Sequence, residues 1–438
     1  MGKDIDIVIG GFYGDEGKGR TVDYLTRHYQ DSSLVILTNG SAQRGHTVVN
    51  NNRRHVFRHF GSGTYNGARS FAPDTFILNP VVFRKEYNEL RKDGVTPILY
   101  VDWNCHIATP WDSLVNQCCE VARGKDRYGS CGQGVYESMY RATFGPSLRF
   151  ADVVCAYSDS SIDRLASALY KIQNEWMPKR IHELIGCDNI PDEMRSILSL
   201  DYVPHFMSDL QFMVEKVLLS GMTGGYFAEN FFNSFQHIVC ENGQGLAISQ
   251  RYYGTDNVTP TYTGLGSALD VLRRYSVVGD FDTIAVNYVY KWFITRHGNG
   301  PLDWEMPKEC ISTKIHDGTN VPNEWQGHLR FAPMNINKVK KLLWDDSVSV
   351  SQWSKVSKRI RFNAVVNGAD MIPDDGLVPI IDENNVQSKV EQKVLYSKIL
   401  KMVSDEQHNY NEFGGSRILV GFGQDAKDSS TYTQGDLE

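Results

Sequence analysis

Ile5, Ile7, Val8 and Ile9 open the chain as a short β-branched run that is followed at once by glycines. A run of that length and composition predicts a buried strand. Thr21-Val22-Asp23-Tyr24-Leu25 then begins an apolar-periodic stretch that predicts a helix, so the intervening residues form a strand-to-helix turn. The alternation recurs. Ser33 to Thr38 predicts a second strand, and residues 79 to 92, apolar at 83, 87 and 90 with a proline in the first turn, predict a helix ended by Gly94. Pro97 to Val101 and Ile238 to Cys240 predict further strands, while residues from about 150 to 235 read as helical and less regular. Strands alternating with helices imply an α/β fold with a large, mostly parallel central sheet and flanking helices, expected as one domain over residues 1–438.

Residues 10 to 19 carry five glycines, at 10, 11, 14, 17 and 19. Glycines there let the backbone approach a ligand closely, and N–H groups at a helix N-terminus attract phosphate. Lys18 adds a positive charge, and Asp15 and Glu16 add carboxylates where magnesium or a titrating substrate would sit. The turn is P-loop-like in layout but lacks the Walker spacing: only Asp15 and Glu16 separate Gly14 from Gly17-Lys18, and no Ser or Thr directly follows the lysine. It is not a dinucleotide fingerprint either.

Composition narrows the partners. With 41% hydrophobic and 22% charged residues the chain is of globular type, and a formal net charge of -7 supplies no basic field for nucleic acid. No apolar run reaches the length of a membrane span, and no signal-peptide core precedes the first strand, so a cytoplasmic location is expected, in a host cell if the source is viral. The eight cysteines show no Cys-x-x-Cys pair or zinc spacing, which predicts reduced thiols; Cys131 lies in a glycine turn and reads as a packing or ligand-lining residue.

Other loops carry chemistry. Gln43-Arg44-Gly45-His46-Thr47 follows the second strand, where open α/β sheets bind ligands. Gly129-Ser130-Cys131-Gly132-Gln133-Gly134 is a second turn able to hold a phosphate, and Glu241-Asn242-Gly243-Gln244-Gly245 is a third glycine turn after a strand, whose Gln244 amide offers both donor and acceptor.

These segments, in this order, resemble the adenylosuccinate synthetase family. Gly14-Asp15-Glu16-Gly17-Lys18-Gly19 resembles its N-terminal signature, and Gly45-His46-Thr47 its Asn-Ala-Gly-His-Thr element, with Gln43 for the asparagine and Arg44 for the alanine. Residues 129–134 resemble the loop Gly-Thr-Thr-Gly-Arg-Gly that grips the nucleoside monophosphate, and residues 241–245 its Glu-Gly-Ala-Gln-Gly. Arg141 stands near an arginine that family members lend to a neighbouring subunit. Thr259 falls at about the family distance, and Thr295 to Pro301 resembles Thr-Arg-x-Gly-x-Gly-Pro. His328 and Arg330 fall in the arginine-rich loop that clamps aspartate, with His328 in place of one arginine. Asn363 and Asn367 fall in the segment that reads guanine in GTP, whose lysine is missing, and Gly421 and Gly423 in the closing strand and turn beside the same base.

The resemblance implies a ligase that joins L-aspartate to C6 of a 6-oxopurine nucleotide at the expense of GTP, ATP or dATP, with Mg2+ as cofactor and a homodimeric assembly. It implies Asp15 as base on purine N1 and, with Gly45, as a magnesium ligand; His46 as hydrogen-bond or proton donor to the transferred phosphoryl; and Lys18 as charge partner. The departures, Gln133 for arginine, His328 for arginine and the asparagines at 363 to 367, favour the phage branch, which converts dGMP to the N6-succino-2-amino-2′-deoxyadenylate precursor of 2-aminoadenine. Asp15 favours IMP, the alternative substrate, because several phage enzymes carry a small residue there. A nucleotide-hydrolysing switch or binding protein that uses the same turns without ligation, and an inactive scaffold, are the other readings.

Overall fold

The computed structural model describes residues 3–220, 226–250, 257–277, 281–316, 325–348, 360–407 and 415–437. In chain order the first half carries strands β1 (Lys3–Gly10), β2 (Ser33–Leu37), β3 (His46–Asn50), β4 (Arg53–Phe57), β5 (Arg69–Ala72), β6 (Ile77–Leu78), β7 (Leu99–Asp102), β8 (His106–Ile107) and β9 (Leu218–Ser220). The second half carries β10 (His237–Gly245), β11 (Phe281–Lys291), β12 (Phe293–Arg296), β13 (Arg330–Asn335), β14 (Ile360–Asn367), β15 (Leu377–Ile381), β16 (Gln387–Glu391), β17 (Ile418–Gly421) and β18 (Ser429–Tyr432). Among the described residues, ten of these form one sheet in the order β18-β17-β14-β11-β1-β10-β2-β5-β7-β9. All neighbours in it are parallel except β17 and β18.

β1 is the middle strand in function as well as position. Ile5, Ile7 and Ile9 point into one apolar layer and Val8 into the other, because successive side chains of a strand alternate faces and helices cover both. That double cover is why the run is apolar at nearly every position. β10 and β11 flank it, so the residues that leave the carboxyl ends of β1, β10, β11, β2 and β14 converge on one edge of the sheet.

Helix α1 (Lys18–Thr26) leaves the β1 turn, and α2 (Pro80–Lys92) has Asn79 as a side-chain cap and proline in its first turn. Gly94 follows it at φ +78°. α3 (Pro110–Arg123) begins with a Thr109–Asp112 capping box, and α4 (Val135–Phe144) starts immediately after the 129–134 loop. The stretch from 150 to 216 holds helices at Phe150–Ser158, Ile162–Lys171, Met177–Ile185, Asp192–Leu198 and Val203–Lys216. The eight cysteines are free thiols, and no helix among the described residues is long and apolar enough to cross a membrane.

One local expectation changes. Glu241 to Gly245 is not a turn after the strand but the end of β10 itself, with Gln244 held at φ +65°. Asn363 and Asn367, in the segment expected beside the guanine, lie on β14 inside the sheet.

Candidate active site

The β1–α1 turn is built by its own side chains. Glu16 is buried and uses Oε1 to accept from the Phe12 and Gly14 amides at 3.0 and 2.8 Å, while Oε2 meets Lys18 Nζ at 3.3 Å. Lys18 also donates to the Gly14 carbonyl at 2.7 Å. Glu16 is therefore a clasp for the turn rather than a nucleotide ligand, and it neutralises part of the Lys18 charge. Gly14 at φ +127° and Gly17 at φ +96° need glycine; a Cβ on Gly17 would lie 2.7 Å from Asn367 Nδ2.

The N-terminus of α1 opens on a pocket of about 140 Å³ lined by Gly14, Asp15, Gly17, Lys18, Gly19, Gly45, His46, Thr47, Asn367 and Gly423. Arg20, Val49, Lys291, His316, Met371 and Gln424, which no signal in the sequence places there, also line it, as do Gly368 and Asp370 after β14. Arg20 binds the carbonyls of Gly423, Asp425 and Asp428 and Asn367 Oδ1, so one buried guanidinium ties α1 to the C-terminal strands. Gly421 lies behind that contact, and Asn367 donates to the Glu16 carbonyl at 2.9 Å. Asn363 does not reach the pocket; it pairs with Asn287 and the Arg417 amide within the sheet.

On the other side of the same turn lies a cleft of about 900 Å³, large enough for a nucleotide and an amino acid together. Gln43, Ser130, Cys131, Gln244, Thr259, Arg296, His297, Trp325 and Gln326 line it. The Gln43 amide is buried at both its oxygen and its nitrogen with no partner for either, which marks it for a ligand. Ser130 is held by Asn116 at 3.0 Å, and burial pushes the Cys131 thiol up, so it stays a neutral lining group. Gln244 keeps a positive φ and donates to the Gln43 carbonyl at 3.4 Å, a strained position of the kind that recurs at ligand sites.

Gly14, Asp15, Gly45, His46 and Thr47 belong to both walls. His46, the first residue of the β3–β4 hairpin, directs Nδ1 to Glu241 Oε1 at 2.6 Å. Ser62 donates to the same carboxylate, and Arg44 adds an ion pair at 3.2 Å. Burial raises Glu241, but the charges of His46 and Arg44 and the hydrogen bonds from His46 and Ser62 hold it at about 2; burial in turn lowers His46 to about 4. An ionised Glu241 accepts, so Nδ1 carries the proton and Nε2 of the neutral ring is an acceptor. The expectation of His46 as a donor therefore needs a second proton, which a phosphoryl group beside Nε2 would favour.

Asp15 Oδ2 meets His297 Nε2 at 3.1 Å. Burial raises the Asp15 carboxyl, but the His297 hydrogen bond and the charges of His297, Lys291 and Lys18 outweigh it and hold the group at about 2. His297 was not singled out by the sequence because it occupies the variable position of its motif. Oδ1 lies outside that pair, and the Gly45 backbone is on the same wall. No group of three or more His, Cys, Asp or Glu side chains placed to hold a metal ion assembles among the described residues, here included. A magnesium ion needs few protein ligands when phosphates supply the rest, so one carboxylate with a carbonyl fits.

Three expectations fail on position. Arg141 is buried and spends its guanidinium on Asp112 at 2.8 and 2.9 Å and on the Pro146 and Ile107 carbonyls, all within its own chain. Four of its five N–H groups are spent in this way and the side chain is 1% exposed, so it is not presented to a neighbouring subunit. His328 is exposed and does not line the cleft. Arg330 is drawn to Glu305 at 2.7 Å and to the Gly300 carbonyl, so the aspartate clamp is not assembled there. Arg296, on β12, lines the cleft wall together with Arg58, Arg123 and Arg180, and is stacked 4.4 Å over Tyr13.

A sequence model of the family described as adenylosuccinate synthetase matches residues 7–324. The chain belongs to the adenylosuccinate synthetase family. The match covers more than half of the chain, and the family is one of carbon–nitrogen ligases that bind purine nucleotides. The adenylosuccinate synthetase of Porphyromonas gingivalis is 26% identical over 69% of this chain and 66% of its own length, so that relative extends about a third beyond the match. The Azobacteroides pseudotrichonymphae enzyme is 24% identical over 84% and 83%. Two solved structures share the fold: the fully ligated Plasmodium falciparum adenylosuccinate synthetase, with TM-score 0.67, 14% identity and coverage of 97% and 98%, and the cyanophage S-2L succinoaminodeoxyadenylate synthetase bound to dGMP and dATP, with TM-score 0.60, 14% identity and coverage of 100% and 98%.

Proposed function

We propose that this family member joins L-aspartate to C6 of a 6-oxopurine nucleoside monophosphate with cleavage of a nucleoside triphosphate, and that dGMP is its preferred acceptor, with IMP the alternative. One observation carries the reading: a phosphate pocket at the α1 N-terminus and a nucleotide-sized cleft share the Gly14-Asp15 and Gly45-His46-Thr47 wall, so a donor and an acceptor bound on either side would meet there.

The steps follow from the residues on that wall. Asp15, ionised, accepts the N1 proton of the purine, which makes O6 nucleophilic. O6 attacks the γ-phosphorus in line, the bond to the leaving diphosphate breaks, and a 6-phosphoryl purine forms. The α1 N-terminal amides and Lys18 offset charge on the transferred group, and His46, protonated as that charge arrives, hydrogen-bonds it through Nε2. The aspartate amine then attacks C6 and phosphate departs with the former O6. Magnesium, held by Asp15 and the Gly45 carbonyl, would supply further neutralisation of phosphate charge.

Gln133 at the place of the family arginine and the dGMP-bound cyanophage relative of the same fold support the deoxyguanylate choice. The triphosphate, GTP, ATP or dATP, is left to experiment, since the guanine-reading lysine is replaced. The test is to incubate the protein with aspartate, magnesium, each triphosphate, and dGMP or IMP, and to follow the succinyl-purine by mass. Product from dGMP at the higher kcat/KM is expected. Triphosphate hydrolysis independent of aspartate and monophosphate would favour the switch reading, and no product from any combination would sink the ligase.

A further inference from the structure

We infer that His297 is the positioning residue that fits Asp15 to a 2-amino-6-oxopurine, by fixing the carboxylate so that its two oxygens face N1–H and the 2-amino group together. The inference rests on the proposed ligase reading. Along the edge of such a purine the order is O6, N1, then the C2 substituent. O6 must face the phosphate pocket, which Asp15, His46 and Lys18 line; Asp15 also lines the cleft, and His297 lines only the cleft. With N1 at Asp15, the C2 substituent therefore falls on the His297 side.

The geometry of the pair gives His297 its role. Nε2 lies 3.1 Å from Asp15 Oδ2, and both side chains are about one-fifth exposed to the cleft, 20% and 23%. The carboxylate can only accept, so Nε2–H donates and pins Oδ2. A carboxylate oxygen accepts more than one hydrogen bond, which leaves Oδ2 able to take a 2-amino N–H while Oδ1 takes N1–H. Two parallel hydrogen bonds demand a fixed carboxylate plane, whereas the single N1–H of a hypoxanthine, with only C2–H beside it, does not. An aspartate at this position then suits a guanine base rather than excluding it.

The experiment compares kcat/KM for dGMP and IMP, at one saturating triphosphate, in wild type, His297→Val and His297→Gln. Wild type should prefer dGMP. His297→Val should lower the dGMP to IMP ratio by about tenfold, the scale of one lost charge-assisted hydrogen bond, with the KM for triphosphate unchanged. His297→Gln, whose amide N–H can reach Oδ2, should restore most of the ratio. Thermal melts report whether the variants are folded. An equal loss for both nucleotides in His297→Val, or a wild type that prefers IMP, overturns the inference. If wild type forms no succinyl product, the ligase reading fails by itself, and calorimetric binding of dGMP and IMP to the same three proteins decides the role of His297; a ratio unmoved by His297→Val, or no binding of either, overturns it.

Discussion

Single residues set the protonation logic of the shared wall. His46 sits between Glu241, which takes its Nδ1 proton, and the phosphate pocket, and burial lowers it to about 4. The ring should therefore stay neutral, Nδ1–H tautomer, from pH 8 down to about 5 in the free protein, and gain its proton only towards 4. Long-range nitrogen–carbon NMR of His46 checks this; a titration near 6.5 would refute it. Arg141 makes the opposite point. With four of its five N–H groups on Asp112 and two carbonyls it is a structural group, and Arg141→Ala leaves the buried Asp112 carboxylate without its counter-charge, a loss of about 3–5 kcal/mol. Denaturant unfolding measures that loss; a stable variant with only a raised KM for the monophosphate would contradict it.

At the scale of elements, α2 holds the site from behind. Glu86 accepts from the backbone amides of Arg58, His59 and Phe60, fixing the chain that leaves the β3–β4 hairpin on which His46 and Thr47 ride. The hairpin closes through Asn51 and Asn52 at φ +50° and +64°, the left-handed pair that a tight two-residue turn requires. Burial raises Glu86, but the rings of His55 and His59, whose nitrogens approach it at 3.7 and 3.8 Å, and the hydrogen bond from the Arg58 amide bring it down to about 2, from 4.5 unfolded. A depressed carboxyl stabilises the fold fully above about pH 4.5 and loses that contribution as pH falls towards 2. Glu86→Gln should thus lower stability at pH 7 by roughly 2–3 kcal/mol and flatten its pH dependence between 4.5 and 2, as read from urea midpoints across that range.

At the scale of the molecule, the sheet places five loops from separate strands on one edge, and ligands bound there should stabilise the whole. A monophosphate at about 100 times its Kd should add about 2.7 kcal/mol if it binds only the native state, and dGMP should shift the melt more than IMP at equal concentration. Equal shifts would speak against the acceptor preference.

The apolar runs by themselves determined the parallel sheet, because a strand covered on both faces must be hydrophobic at nearly every position; Ile5, Ile7, Val8 and Ile9 declare this without a partner in view. The glycines of the β1–α1 turn were equally legible, since positive φ and close backbone approach admit little else. Only the tertiary structure decided where charge goes. Glu16 turns inward as a clasp, Arg141 is consumed by Asp112, Arg330 by Glu305, and Asp15 acquires His297 from 282 positions away. A side chain's chemistry is local to the sequence, but its partner, and hence its protonation and its freedom to bind, belongs to whatever the fold brings within 3 Å.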